Sequence, residues 1–87
     1  MTPEEYLARA ADRVEKGWIR GKMYDKETDK YCILGALEGW ECPEAYDAMK
    51  KEIEGLCGWP SLMVWNDTKC QSAEEAASTL RNAKRWL

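Results

Sequence analysis

Cys32, Cys42, Cys57 and Cys70, with the run Trp65-Asn66-Asp67, are the residues of this sequence whose side chains could do chemistry. A thiolate can act as a nucleophile or bind metal, and an amide beside a carboxylate can hold a substrate or move a proton. Cys32 is the candidate nucleophile. It precedes Ile-Leu-Gly-Ala-Leu, near the start of a helical run, where the helix dipole lowers a thiol pKa. The chain has no histidine, which removes the usual base for a thiol or hydroxyl nucleophile and every histidine-containing zinc site. A thiol-dependent enzyme or ligand binder centred on Cys32, with Asn66 and Asp67 nearby, would have to rely on carboxylates alone. The plainer reading makes Cys32 a small buried hydrophobe. Trp65-Asn66-Asp67 then becomes a joint before the last helix: an anchoring ring, an amide that tolerates the left-handed conformation, and a carboxylate that accepts turn N–H bonds.

The cysteines are badly spaced for metal. Structural zinc pairs its ligands across about two to four residues, and here at least nine residues separate any two cysteines. Neither a metal nor a cofactor is expected. Four thiols in a short chain leave a disulfide framework as the rival arrangement. "MTPEEYLARA", however, has neither the basic nor the apolar region of a secretory signal, which points to free thiols in a cytoplasmic protein.

The elements that would position these residues follow from periodicity and caps. Thr2, Pro3 and Glu5 make a helix start, Leu7, Ala10, Ala11, Val14 and Trp18 recur on one face, and Gly17 suits a left-handed stop, which predicts a helix over 3–16. Residues 18–31 lose that period and carry the turn-forming "DKETD", so they read as a short β-hairpin or an irregular excursion. Helical spacing returns through Ile33, Ala36, Leu37 and Trp40, with Gly35 and Ala36 small enough for another backbone to come close. Pro43 opens a third helix with Tyr46, Met49, Ile53, Leu56 and Cys57 on its apolar stripe, and Gly58 ends it. "WPSLMVWND" reads as a buried helical turn or two, with Pro60 in its first turn. Ser72 and Glu75 open the last helix, whose inner face is Ala76, Ala77, Leu80, Ala83 and Leu87. The sequence predicts a mainly α protein, one helical domain over residues 1–87. Its form is a compact bundle of about four helices with a small β-hairpin or irregular insert near residues 18–31.

With 87 residues, such a domain buries only about 60–65% of its unfolded surface. No apolar run approaches the ~18 residues needed to span a bilayer, so no membrane partner is expected. A net charge of −3 with no basic stripe argues against nucleic acid, whose phosphates demand clustered cations. Acidity is densest from Glu38 to Glu54, which reads as a solvated face.

Five tryptophans and four tyrosines, with no phenylalanine, are much large amphipathic ring for so small a core. Trp18, Trp40 and Trp65 fit core positions by spacing. Trp86 falls off the Leu80–Ala83–Leu87 face, and Trp59 sits at a Gly-Trp-Pro corner. Rings left at a surface are typical hot spots of protein interfaces, so Trp59 and Trp86 are the binding candidates. Trp40 is named with them as a third binding candidate. The residues favour a non-catalytic protein that acts by protein–protein interaction, with another protein or a second copy (a homodimer) as partner.

"TPEEYLARAADRVEKGW", "CILGAL", "WND" and "SAEEAASTLRNAKRWL" together resemble a family of small uncharacterised proteins from actinobacteria and their phages. The matching positions are Gly17, Trp18, Cys32, Gly35, Ala36, Leu37, Trp65, Asn66 and Asp67. The resemblance carries no activity. It implies a cytoplasmic, phage-encoded protein of the kind that binds a host protein. The acidic middle segment departs from the more neutral sequences of that family.

Overall fold

Thr2 begins the first helix as its residue type requires. Its hydroxyl accepts from Glu5 N at 3.2 Å and its N–H donates to Glu5 Oε1 at 2.9 Å, a reciprocal pair that satisfies two otherwise orphaned donors. This computed structural model describes residues 1–38 and 40–87. Helix α1, Pro3–Lys16, buries Leu7, Ala10, Ala11 and Val14, the face its spacing predicts. Gly17 does end it, but with φ −175°, an extended and not a left-handed residue. Glycine is needed there for room, since a Cβ would stand 2.9 Å from Lys30 Cγ and 3.0 Å from the Asp29 carbonyl oxygen.

The insert contains a hairpin of minimal size. Strands β1 (Tyr24–Asp25) and β2 (Lys30–Tyr31) pair antiparallel, with Tyr24 opposite Tyr31 and their ring centroids 4.7 Å apart. Asp25 organises the turn, accepting from Thr28 Oγ1 at 2.8 Å and from Glu27 N at 3.2 Å. Two such strands are marginal alone. They are held by backbone bonds from Tyr31 N to Gly17 O (2.8 Å), Ile19 N to Tyr31 O (3.1 Å) and Cys32 N to Met23 O (3.1 Å).

Helix α2, Ile33–Leu37, is shorter than its spacing predicts. Glu38 turns left-handed at φ 54°, and the reason lies on α1. Arg9 and Arg13 grip the Glu38 carboxylate at 2.8 and 3.1 Å, and Arg13 also donates to Ala36 O at 3.0 Å, capping the helix end. The apolar run therefore stops before Trp40, which is 62% exposed instead of core. Gly39, within the predicted run, lies outside the described residues. Gly35 behaves as its size suggests: a Cβ there would fall 2.1 Å from Met23 O.

Helix α3, Pro43–Cys57, ends at Gly58 with φ 77°. It buries Ala45, Ala48, Met49, Glu52 and Ile53, while Leu56 and Cys57, expected on its core stripe, are exposed. Residues 54–58 are all exposed, so helical spacing alone does not bury the last turn of α3. Helix α4, Leu62–Thr68, starts from Ser61, which accepts from Val64 N at 3.2 Å. Pro60 thus precedes the cap instead of occupying the first turn. Helix α5, Ala73–Asn82, is capped by Ser72 and packs Ala76, Ala77, Thr79 and Leu80 inward. A 3-10 turn, Ala83–Trp86, follows. Its tighter winding leaves Ala83 buried but swings Leu87, expected inside, to the surface.

Helix α1 packs against α2 and α5, and α3 against the 3-10 turn. One continuous core joins Leu7, Val14, Ile33, Leu37, Met49, Ile53, Leu62, Trp65 and Leu80. The result is mainly α with a two-stranded hairpin, as the sequence predicts. Among the described residues, no helix is long and apolar enough to cross a membrane.

Candidate functional site

Cys32, Asn66 and Asp67 do come together, around the entry to α2. Asn66 sits inside α4, fully buried, instead of closing a helix in the left-handed conformation. Its Oδ1 accepts from Trp18 Nε1 at 2.7 Å and from Ile33 N at 3.1 Å. Its Nδ2 donates to Ile19 O at 3.1 Å and to Asp67 Oδ1 at 2.9 Å. An amide offers two acceptor positions and two donor hydrogens, so these four bonds use its whole capacity. Asp67 Oδ1 also accepts from Gly21 N at 3.0 Å. It does accept backbone N–H, as expected, but from residue 21 and not from its own turn.

Cys32 is the N-cap of α2, and its Sγ accepts from Gly35 N at 3.4 Å and lies 3.9 Å from Met63 Sδ. Burial pushes its thiol above the ordinary range, and the Asp67 charge adds to that rise. The N–H groups of Gly35 and Leu34 pull the other way without overcoming it. Sulfur, amide and acid are thus neighbours, but the sulfur is held as neutral thiol and the amide has no free valence. Arg20 closes the edge, stacking 5.3 Å over the Trp18 ring and donating to Cys70 O. All four cysteines are free. Among the described residues, no three His, Cys, Asp or Glu side chains gather so as to hold a metal ion.

The second set of candidates lies on the surface. Trp40, Trp59 and Trp86 are 62%, 63% and 46% exposed, whereas Trp65 is buried and Trp18 partly so. Trp86 is fixed in place: its Nε1 donates to Glu52 Oε1 at 2.9 Å, and Arg85 Nε lies 3.1 Å from the same oxygen. Sequence reasoning missed Glu52, assigning it to a solvated acidic face, although its carboxylate is buried. The signal was its phase, since Ala45, Ala48, Met49 and Glu52 follow each other at helical spacing on one face of α3. Two shallow grooves flank the exposed side of α3. One, of about 380 Å³, lies between α3 and the Trp86–Leu87 tail, and the other, of about 300 Å³, is bounded by Lys50, Glu54 and Pro60. Asp47 and Lys51 form the ridge common to both.

A family model described as "Family of unknown function (DUF6197)" matches residues 1–85. The chain belongs to this family. No curated protein and no solved structure matches it. The match takes in the polar knot on Asn66 together with Trp40 and Trp59, stops one residue short of Trp86, and brings no activity to any of them.

Proposed function

We propose that this protein is a non-catalytic module that binds a protein partner through its exposed indoles. The observation that carries the reading is that Trp40, Trp59 and Trp86 are each about half or more exposed while the core closes without them. Exposed aromatic rings are costly in water and are the commonest anchors of protein interfaces. The thiol-centred alternative has less behind it, because the Cys32 sulfur is fully buried and burial keeps it protonated. The net charge of −3 favours a protein over a polyanion as partner. Four free thiols suit a reducing compartment, so the proposal places the protein in a cytoplasm. The resemblance to proteins of actinobacteria and their phages supports a host protein as one partner.

The test is capture from a host lysate on immobilised protein, comparing the wild type with a Trp40→Ala, Trp59→Ala, Trp86→Ala triple variant of unchanged circular dichroism. Loss of the captured protein in the triple variant supports the reading. A partner held equally by both contradicts it.

A further inference from the structure

We infer that the groove beside Trp86 seats an arginine side chain from a basic segment of the partner protein, its guanidinium stacked on the indole and paired with Glu44 and Asp47. The inference rests on the interaction reading above and gives one of its tryptophans a ligand. The groove, of about 380 Å³, has Ala48 and Leu87 as apolar walls, Trp86 as its aromatic wall, and Glu44, Asp47 and Lys51 as its charges. That volume is in the range of small-ligand sites and has room for one long side chain.

The indole is set in advance. Trp86 Nε1 donates to the buried Glu52 carboxylate at 2.9 Å, which fixes the ring while nearly half of the residue stays exposed. A wall held in this way loses little freedom on binding. The charge is set as well. Glu41, Glu44 and Asp47 recur every three residues and are all exposed. Among the described residues, neither Glu44 nor Asp47 has a cation within ion-pair distance, and the two carboxylates outweigh Lys51. The chain as a whole carries −3, so a basic segment is drawn to this face and an acidic one is repelled.

The fold fills other corners of this kind with its own arginines. Arg9 lies 4.9 Å over the Tyr6 ring and Arg13 5.3 Å over the Tyr31 ring, and both pair with Glu38. A planar guanidinium can stack on a ring and offer its edge to a carboxylate at once, which a compact ammonium does less well. The Trp86 groove offers the same ring and carboxylates with no arginine among the described residues that line it. Arg85, beside Trp86 in the chain, is turned to Glu52 at 3.1 Å. Each exposed contact contributes modestly, so the groove anchors one arginine within a wider interface.

The test is a titration of the isotope-labelled full chain with an acetylated, amidated Gly-Arg-Gly peptide. It follows the indole N–H signals and the Ala48 backbone N–H by nuclear magnetic resonance. Salt is held at about 0.15 M, where distant charges are screened. The expected result is a saturable shift of the Trp86 signal, exceeding those of Trp40 and Trp59. Gly-Lys-Gly should bind more weakly and Gly-Gln-Gly not at all. Glu44→Gln combined with Asp47→Asn should weaken binding about 3–10-fold, and Trp86→Leu, read at Ala48, about 2–5-fold. Glu27→Gln combined with Glu74→Gln removes the same charge elsewhere and should leave binding unchanged. An unmoved Trp86 signal, a shift that Gly-Gln-Gly reproduces, or one that survives loss of both carboxylates overturns the inference. If lysate capture then still depends on the tryptophans, the arginine seat alone has failed. Failure of the wider reading shows instead as capture that ignores the tryptophans.

Discussion

Asn66 is a residue whose type could serve substrate binding and whose surroundings assign it to holding the fold. Three of its four hydrogen bonds join α4 to the Trp18 indole, the Ile19 carbonyl and the first amide of α2, and the fourth holds its neighbour Asp67. Replacing it by alanine leaves the buried Ile33 N–H and the Trp18 N–H unmatched, each worth about 1–3 kcal/mol. Asn66→Ala is therefore expected to cost about 2–6 kcal/mol in urea unfolding, a large part of a small domain's stability. An unchanged midpoint would show that the knot is dispensable. The sequence made this residue conspicuous but could not assign its task. Trp-Asn-Asp as a local turn and as a long-range clamp look alike, because the partners that distinguish them lie some 33 to 48 residues away.

At the scale of elements, caps and small residues were legible because they act locally. Thr2 with Glu5, Ser72, Gly58 and the close approach at Gly35 all read directly from residue type. What was not legible depended on another element. The early end of α2 is decided by Arg9 and Arg13 reaching across from α1 to Glu38, and the exposure of Leu56 by the lack of cover over the last turn of α3. The Glu38 contact has a pH consequence. Partial burial raises its carboxyl pKa, but the hydrogen bond from Arg13 and the charges of both arginines outweigh that and hold it below the usual carboxylate range. A depressed folded-state pKa means stability that is complete above the unfolded carboxylate value of about 4.3 and is lost as pH falls through the lower folded value. Glu38→Gln should remove that part of the acid limb, so that wild type and variant converge at low pH when unfolding is followed by urea titration. Parallel curves throughout would mean that the ion pairs contribute nothing.

At the scale of the molecule, indoles and sulfurs divide the labour. Trp65 and the buried thiols Cys32, Cys42 and Cys70 belong to the interior, while Trp40, Trp59 and Trp86 stand outside a core that is already closed. The excess of aromatic residues over core volume could be read from composition, and so could the corner at Trp59. The identity of each exposed ring needed the fold. Trp40 followed the helical period yet lies open, and Trp86 is pinned by a glutamate that seemed to belong to the solvent.

The division between packing and contact is tested most directly by alkylating the folded protein with iodoacetamide near neutral pH and mapping each cysteine by mass spectrometry. The account predicts that exposed Cys57 is modified while Cys32, buried and protonated, stays unlabelled until the chain unfolds. Labelling of Cys32 ahead of Cys57 in the native protein would contradict it and return the sulfur, amide and acid cluster to the centre of the function.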